Sequence, residues 1–487
     1  MKLTDRMHCP NCKGRLHAVS AEALRCADCE RTVRIVDGIA DFVGDSREWE
    51  PHADRYHGDA GLTGAAAAER VARIVGAAGD RWFGFAGDVI ALGCGRGETI
   101  QAFAAGQTIR SLLVADTDMA MLRACRDLLA PPGSSTGHPV AFAMLGGGRD
   151  AISDATADTV IGSALLSGIA DVRAFLTMVH RVLKPGGRAM FVVPNRRYHE
   201  AMCLAIAETL VQRRTREGTW PEGQDAVLEF LALTRRLLVH RDERSLFAEA
   251  GEKHLFDSEA LEDLGGEAGF ATAEVIPLDP DPAGSETMRR VCRDAGAPDG
   301  FSETFGPLAA GVGRRFFHLL ARRDSSASML LWLTKAPGPA VRVFRPHPAP
   351  PPPGFAGPEA ALGGAAPRWS VELLARETPG GIRVSVGGWC LCNADVRWVR
   401  LTLDDVARDA PVWRPRPDVH DVLNRDGLYH PLNTLCSGLA CELLFEGAHA
   451  TDGACPFRLE VVLASGLSVT GAAPDRLAMN EPTVIAH

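Results

Sequence analysis

Cys9-Pro10-Asn11-Cys12 and Cys26-Ala27-Asp28-Cys29 are two C-x-x-C knuckles with 13 residues between them. Two tight turns at that spacing present four thiolates tetrahedrally to one zinc ion. A shell closed by four thiolates leaves the metal no position for water, so the predicted role is structural and not catalytic. The alternative, two redox pairs, fits less well, because a redox C-x-x-C opens a helix in a larger domain. About 45 residues with few large apolar side chains cannot bury a sufficient core, so metal ligation must hold this amino-terminal ribbon together.

The second group lies in Asp88–Ile100, which reads DVIALGCGRGETI. An apolar run, Val89-Ile90-Ala91-Leu92, stops at Gly93-Cys94-Gly95-Arg96-Gly97 and gives way to a helix-forming segment, the pattern of a buried parallel strand turning into a helix. Three glycines at alternate positions leave bare backbone for a ligand, and the helix amino terminus points free N–H groups at it. The following strand, Ser111-Leu112-Leu113-Val114-Ala115, ends in Asp116. A doubly wound fold places a carboxylate about 20 residues beyond such a turn, on the hydroxyl pair of a ribose. A nucleoside-like ligand is therefore expected.

Asp116-Thr117-Asp118-Met119-Ala120-Met121-Leu122 resembles the "D-x-S-P-x-M-L" segment of class I S-adenosylmethionine-dependent methyltransferases. His180–Arg188 (HRVLKPGGR) and the strand Ala189–Asn195 resemble their "R-V-L-K-P-G-G" helix, turn and fifth strand, and Ala157–Ile161 resembles their fourth. His254-Leu255-Phe256, with Leu261, resembles the "H-x-F-x-x-x-x-L" lead-in to their last helix, and Ser328–Lys335 fits a seventh strand. The resemblance covers roughly Gly87 to Lys335 and implies an α/β fold, a Rossmann-like doubly wound sheet of seven strands. It implies S-adenosylmethionine as cofactor, lined by Leu92, Gly93, Cys94, Gly95, Gly97, Asp116, Thr117 and Leu165. Of the groups suited to removing a hydroxyl proton, His254 is the first candidate as base, ahead of His199 and Tyr198.

Two positions depart from that family. Ala91 stands where an acidic residue meets the methionine amino group, and Gly146 roughly where another recognises the adenine amino group. Each lost charge-assisted contact removes roughly 1.5–3 kcal/mol of binding. Asp150 and Asp154 are candidates to replace the second contact.

Thr32–Ile39 resembles the "V-x-D-G-I-P" exit of zinc ribbons that precede methyltransferase domains, including an rRNA guanine methyltransferase group, or that form a free methyltransferase activator. A net charge of −9 nevertheless offers no field to hold a phosphate backbone, so nucleic acid is disfavoured as substrate. The first residues lead into the knuckle without the apolar core of a secretion signal, and no apolar run reaches the ~20 residues that span a bilayer. A cytoplasmic protein is expected. Cysteines such as Cys94, Cys125, Cys203 and Cys436 are scattered among apolar residues, as small buried hydrophobes are in a reducing compartment.

The domain organisation read from these patterns is a ribbon at 1–45, a methyltransferase domain at 46–336 with a helical insertion near 198–250, a Pro-rich linker at 337–366 and an all-β sandwich at 367–487. The insertion is either a lid or a helical pair packed on the sheet edge, and its arginines read as a solvated face. The linker contains Arg345–Gly354 (RPHPAPPPPG), a stiff spacer. Short strands of period two follow, including Ser370–Leu374, Ile382–Val386, Val399–Leu403 and Phe457–Leu463. Trp389 after paired glycines, Arg416-Pro417-Asp418-Val419 and Ser437-Gly438-Leu439 resemble the "G-W", "R-P-D-V" and "S-G-F" landmarks of β-sandwich modules appended to bacterial glycosyltransferases. Three readings follow: methyl transfer to oxygen of a sugar, glycan or other small acceptor; a catalytically degenerate methyltransferase fold serving as scaffold in a glycan-assembly complex; and, more weakly, an RNA methyltransferase.

Overall fold

The computed structural model describes residues 3–43, 64–79, 85–131, 137–146, 151–163, 165–169, 171–220, 223–239, 255–278, 299–317, 320, 322–338, 367–424, 426–470 and 474–486. His254, Asp150 and the Pro-rich run at 345–354 lie outside the described residues. What is described falls into two compact units, one drawn from Met1–Arg196, Glu243–Pro280 and Ala321–Pro348, the other from Arg197–Asp242, Asp281–Leu320 and Ala349–His487. Among the described residues no helix is long and apolar enough to cross a membrane.

In the first unit the knuckles lead into an antiparallel meander, β1 (Leu16–Ser20), β2 (Ala23–Cys26), β3 (Thr32–Val36) and β4 (Ile39–Asp41). After α1 (Gly64–Ala78) come β5 (Phe85–Leu92), α2 (Glu98–Ala105), β6 (Thr108–Asp116), α3 (Met119–Leu129), β7 (Val140–Met144), β8 (Ala157–Ser163), α4 (Val172–Val182) and β9 (Leu183–Pro194). The helix Ser258–Glu267, β10 (Thr272–Pro277) and β11 (Ser328–Thr334) complete the unit. All eleven strands join one sheet in the order β1-β2-β3-β4-β7-β6-β5-β8-β9-β11-β10. Strands β5 to β9 pair in parallel, and β11 runs antiparallel between β9 and β10. The seven strands β5 to β11 are the doubly wound sheet expected from the sequence. Its order reverses direction at β5, between β6 and β8, so a crevice opens at the carboxyl ends of those strands.

The ribbon shares this sheet instead of standing beside it. Ile39, Ala40 and Asp41 pair in parallel with Phe142, Ala143 and Met144 of β7. Met7, Leu16, Leu24, Val33 and Phe42 of the ribbon pack in the same core as Leu113, Val160, Leu176 and Phe191. Ile39 and Val43 pack on the opposite face with Val89, Leu112 and Met144. Alternate residues of the central strands thus enter two cores, and the ribbon borrows from both the burial that it cannot supply alone.

At the amino ends of the strands, away from the crevice, a charged network closes the sheet. Asp88 accepts from Arg110 Nη1 at 2.8 Å, Ser111 Oγ at 2.7 Å and Lys184 Nζ at 2.7 Å, and Lys184 reaches Asp158 at 2.9 Å. Arg6, 2% exposed, donates to the Val89 carbonyl at 3.0 Å, and burial pulls its guanidinium down to about 10 against Asp88 and Asp158. Burial pushes Asp88 upward, but Lys184, Ser111 and Arg110 outweigh it and bring its carboxyl down to about 2. A carboxyl lowered on folding stabilises fully above its unfolded pKa near 3.9 and loses that contribution as pH falls toward 2.

In the second unit two sheets face one another. One has the order β16-β13-β12-β20, from β12 (Arg368–Thr378), β13 (Gly381–Leu391), β16 (Gly438–Glu446) and β20 (Pro482–Ala486); the other is β15-β14-β17-β18, from β14 (Val396–Leu403), β15 (Val406–Pro411), β17 (Ala454–Leu463) and β18 (Ser468–Thr470), with β19 (Arg476–Ala478) also paired to β17. Trp369, Val384, Val399, Phe445 and Val461 fill the core between them. The "R-P-D-V" and "G-W" landmarks meet: Arg416 holds Asp418 through two bonds of 2.8 and 2.7 Å and donates to the Gly388 carbonyl at 3.1 Å.

The helical segment near 198–250, expected with the methyltransferase domain, groups with these sheets. Its helices are α5 (Arg196–Glu217) and α6 (Gln224–Val239). Arg235, 8% exposed, reaches Asp395 at 2.6 Å and Asn433 at 2.7 Å. Trp220 Nε1 donates to Asp421 at 3.0 Å, and Arg236 stacks 4.8 Å over Trp413.

Two outcomes are expected. Asp88→Asn should lower unfolding stability by about 2 kcal/mol at pH 7, a penalty that shrinks between pH 4 and pH 2; denaturant titrations at several pH values measure it. A fragment spanning 367–487 alone should fold less stably than one co-expressed with 197–242, because Arg235 and Trp220 are then missing; thermal denaturation of both preparations decides this.

Candidate functional site

The four ribbon thiols converge. Cys9 Sγ lies 3.6 Å from Cys29 Sγ, Cys12 Sγ lies 3.4 Å from Cys26 Sγ, and all four are within 4.8 Å of one another. Tetrahedral zinc with Zn–S bonds of about 2.3 Å sets its sulfurs roughly 3.8 Å apart, so the cage has the size that zinc needs. Backbone geometry builds it. Cys9 N–H donates to the Gly14 carbonyl at 2.9 Å, and Lys13 N–H to the Cys9 carbonyl at 2.8 Å. Asp28 N–H donates to Cys26 Sγ at 3.4 Å, a bond that favours the thiolate. A Cβ at Gly14 would stand 2.9 Å from Cys26 Sγ and closer still to the Asp28 carboxylate, so any other residue there would displace one of them.

At the carboxyl ends of β5, β6 and β8 the glycine turn comes against Asp116 and Leu165. Gly93, Gly95 and Gly97 all have positive φ, at 66°, 51° and 96°. Around Gly95 a Cβ would meet nothing within 4 Å, whereas at Gly97 it would lie 2.7 Å from Cys125 Sγ and at Gly93 3.0 Å from Leu165 Cδ1. The middle glycine therefore faces open space while its neighbours are packed. Gly97 is the N-cap of α2 and offers no side-chain bond, which leaves the N–H groups of the first turn to a ligand. Leu92 is 6% exposed with its side chain in the core, so only its backbone borders the crevice. Cys94 is buried, its thiol pushed up by Cys125 and by burial.

Asp116 has a task beyond the one expected of it. Its Oδ2 accepts from Cys94 N–H at 2.7 Å, and its Oδ1 from Thr117 N–H at 2.7 Å and Asp118 N–H at 3.0 Å. The carboxylate thus ties the glycine turn on β5 to the end of β6. Burial holds its carboxyl above the usual range against these three backbone donors. The Cys94 thiol adds to these donors, so the carboxylate serves first to hold the turn together.

Sequence reasoning passed over Val43 and Asp118. Asp118 Oδ1 caps α3 through Ala120 N–H at 2.7 Å and Met121 N–H at 3.3 Å, while its Oδ2 is buried without a partner. The S/T/D/N cap rule identifies the first role, but nothing local reveals the second. Ala91 is 1% exposed in the core, so no polar group takes its place. Asp154 is directed at Arg181 and is 73% exposed, which sets it apart as a surface ion pair. Tyr198 is buried against Phe317 at 4.9 Å in the second unit, a packing role.

Residues 90–191 match a known family, described as "Methyltransferase domain". Among solved structures, an S-adenosylmethionine-dependent methyltransferase from Mesorhizobium loti is 17% identical, over 56% of this chain and 100% of that one, at a TM-score of 0.32. Haemonchus contortus phosphoethanolamine N-methyltransferase 2, bound to phosphomonomethylethanolamine and S-adenosylhomocysteine, is 14% identical over 55% and 52% of the chains, with a TM-score of 0.32. The [4+2]-cyclase SpnF is 15% identical over 56% and 82%, again at 0.32. No curated protein matches the sequence. The first unit has the class I methyltransferase fold, joined to an amino-terminal four-cysteine cluster and followed by all-β sheets.

Purified protein should carry about one zinc per chain by elemental analysis. Because ribbon and sheet share a core, Cys12→Ser should lower the thermal midpoint of the first unit as a whole by several degrees. Hydrogen exchange that rises in 3–43 alone, with β7 still protected, would refute the shared core.

Proposed function

We propose that the first unit binds S-adenosylmethionine and transfers its methyl group to an oxygen of a sugar, a glycan or another small acceptor. The observation that carries this reading is the open backbone at Gly95 beside Asp116, at the reversal point of the sheet. Gly93, Gly95 and Gly97 give the donor backbone approach, Asp116 and Thr117 flank its ribose, and Leu165 covers the turn from the β8 side. The sulfonium of the bound donor supplies an activated methyl group. The protein's own contribution is to hold donor and acceptor in line and keep water out. Four thiolates at the ribbon suit a zinc ion with a structural role.

The acceptor class rests on two features. A net charge of −9 disfavours a polyanionic substrate, and with it the RNA methyltransferase reading. The landmarks around Arg416 resemble modules appended to glycosyltransferases, which associates the chain with surface-glycan assembly. A second reading, a fold that has lost donor binding and serves as scaffold, draws on Ala91 and Gly146, since neither usual acidic anchor is present.

Calorimetry with S-adenosylhomocysteine separates the two. The full chain should bind it, and Gly95→Val should abolish binding by filling the open space. Asp116→Ala should cost ten- to a hundredfold in affinity and also about 1.5–3 kcal/mol of stability, because it releases the N–H groups of Cys94, Thr117 and Asp118. Folded protein that binds nothing at millimolar ligand makes the scaffold the correct reading.

A further inference from the structure

We infer that the zinc ribbon is a working part of the nucleoside site, with Val43 forming the wall that an acidic residue at position 146 would otherwise form. The inference rests on the donor-binding reading above and adds to it a partner within the same chain.

The ribbon bonds to the end of β7 and again to residues 151–153. On one side, Phe42 N–H donates to the Met144 carbonyl at 3.0 Å, continuing the pairing of β4 with β7 into the crevice. Val43 then lies against Gly146: a Cβ at that glycine would stand 3.2 Å from Val43 Cγ2. On the other side, Met7 bridges Ile152, His8 N–H donates to the Ala151 carbonyl at 2.8 Å, and Ser153 N–H donates to the Arg6 carbonyl at 2.8 Å. Cys9, a thiol of the cage, is the next residue along.

Val43 is itself fixed from the ribbon. The Asp41 side chain is 3% exposed; its Oδ1 accepts from Val43 N–H at 3.1 Å and its Oδ2 from Arg34 of β3 at 3.3 Å. A further tie leads inward, since Leu145 N–H donates to the Asp116 carbonyl at 2.9 Å. Cage, hairpin, Val43, Gly146 and Asp116 therefore form one contiguous path of contacts. Along it the acidic anchor has been exchanged for an apolar surface supplied by another module. A base-binding wall needs an apolar face as much as a polar edge, and glycine at 146 leaves room for that face to come from Val43.

The path makes nucleoside affinity depend on the ribbon. In calorimetry on the zinc-loaded full chain, Val43→Ala should weaken S-adenosylhomocysteine three- to tenfold and adenosine by the same factor, with zinc content unchanged. Val43→Ala combined with Gly146→Asp should recover the loss, because the carboxylate then has space. Chelated, zinc-free protein should bind more than tenfold more weakly. If wild type binds and Val43→Ala binds S-adenosylhomocysteine and adenosine as tightly, the ribbon is not part of the site and the inference falls alone. Wild type that fails to bind S-adenosylhomocysteine overturns the donor reading, and the inference with it. Should zinc-free protein unfold, the Val43→Ala arm decides by itself, since it leaves the cysteines and the Asp41 bonds intact.

Discussion

The parallel pairing of β4 with β7 is the constraint on which the first unit depends. Strand β7 is five residues long and would otherwise close the sheet as an exposed parallel edge, with its backbone groups unpaired. β4 covers that edge, and in doing so it ends the isolation of the ribbon. Met7 and Phe42 enter one core while Ile39 and Val43 enter the other, so the metal cage is continuous with the sheet.

Charge is divided between the two ends of the sheet. At the amino ends Asp88, Asp158, Arg110 and Lys184 are mutually paired, and Arg6 lies buried beneath them. Asp88 is bonded by Lys184, Ser111 and Arg110 together, which makes it the centre of a closure of the fold. At the carboxyl ends the first turn of α2 has no side-chain cap, and the Oδ2 of Asp118 is buried without a partner. Asp88 and Asp116 flank the same pair of strands, but their surroundings differ. Lysine and arginine meet the first, backbone N–H groups the second, and only the second stands beside open space.

The core fold was legible because its signals are local. The apolar run ending at Gly93 and the strand ending at Asp116 each show within a few residues, and Ser328–Lys335, read as a strand, is β11 (Ser328–Thr334). The strands of the sandwich were likewise visible in alternating apolar runs. The knuckle spacing foretold a common cage. What sequence could not supply was pairing between remote segments. The residues of β4 carry no mark that they will join β7 a hundred positions later, so the ribbon was read as a separate domain. Gly146 was read as a lost anchor, and nothing in the sequence places Val43, about a hundred positions earlier, beside it. Asp116 was recognised by position, while its bonds to Cys94 and Thr117 required coordinates.

The arginines of α5 and α6 show the same limit more sharply. Spaced between leucines, they have the pattern of a solvated helical face, but Arg213, bonded to Glu217 one turn away, has a side chain only 17% exposed and lies 5.6 Å over the Phe301 ring. Arg214, Arg235 and Arg236 instead engage Asp421, Asp395 and Trp413, carried on a segment nearly two hundred residues onward. Burying Arg235 to 8% exposure without a partner would cost several kcal/mol, so its two bonds fix where α6 must lie. Cys203 on α5 is fully buried and shares its surroundings with Cys436 and Arg235; burial pushes the Cys436 thiol up to about 12, so it packs as an apolar group. A segment inserted after the fifth strand of one unit thus supplies the cations that the other unit's acids require. The two units interleave along the chain, and each has a core of its own.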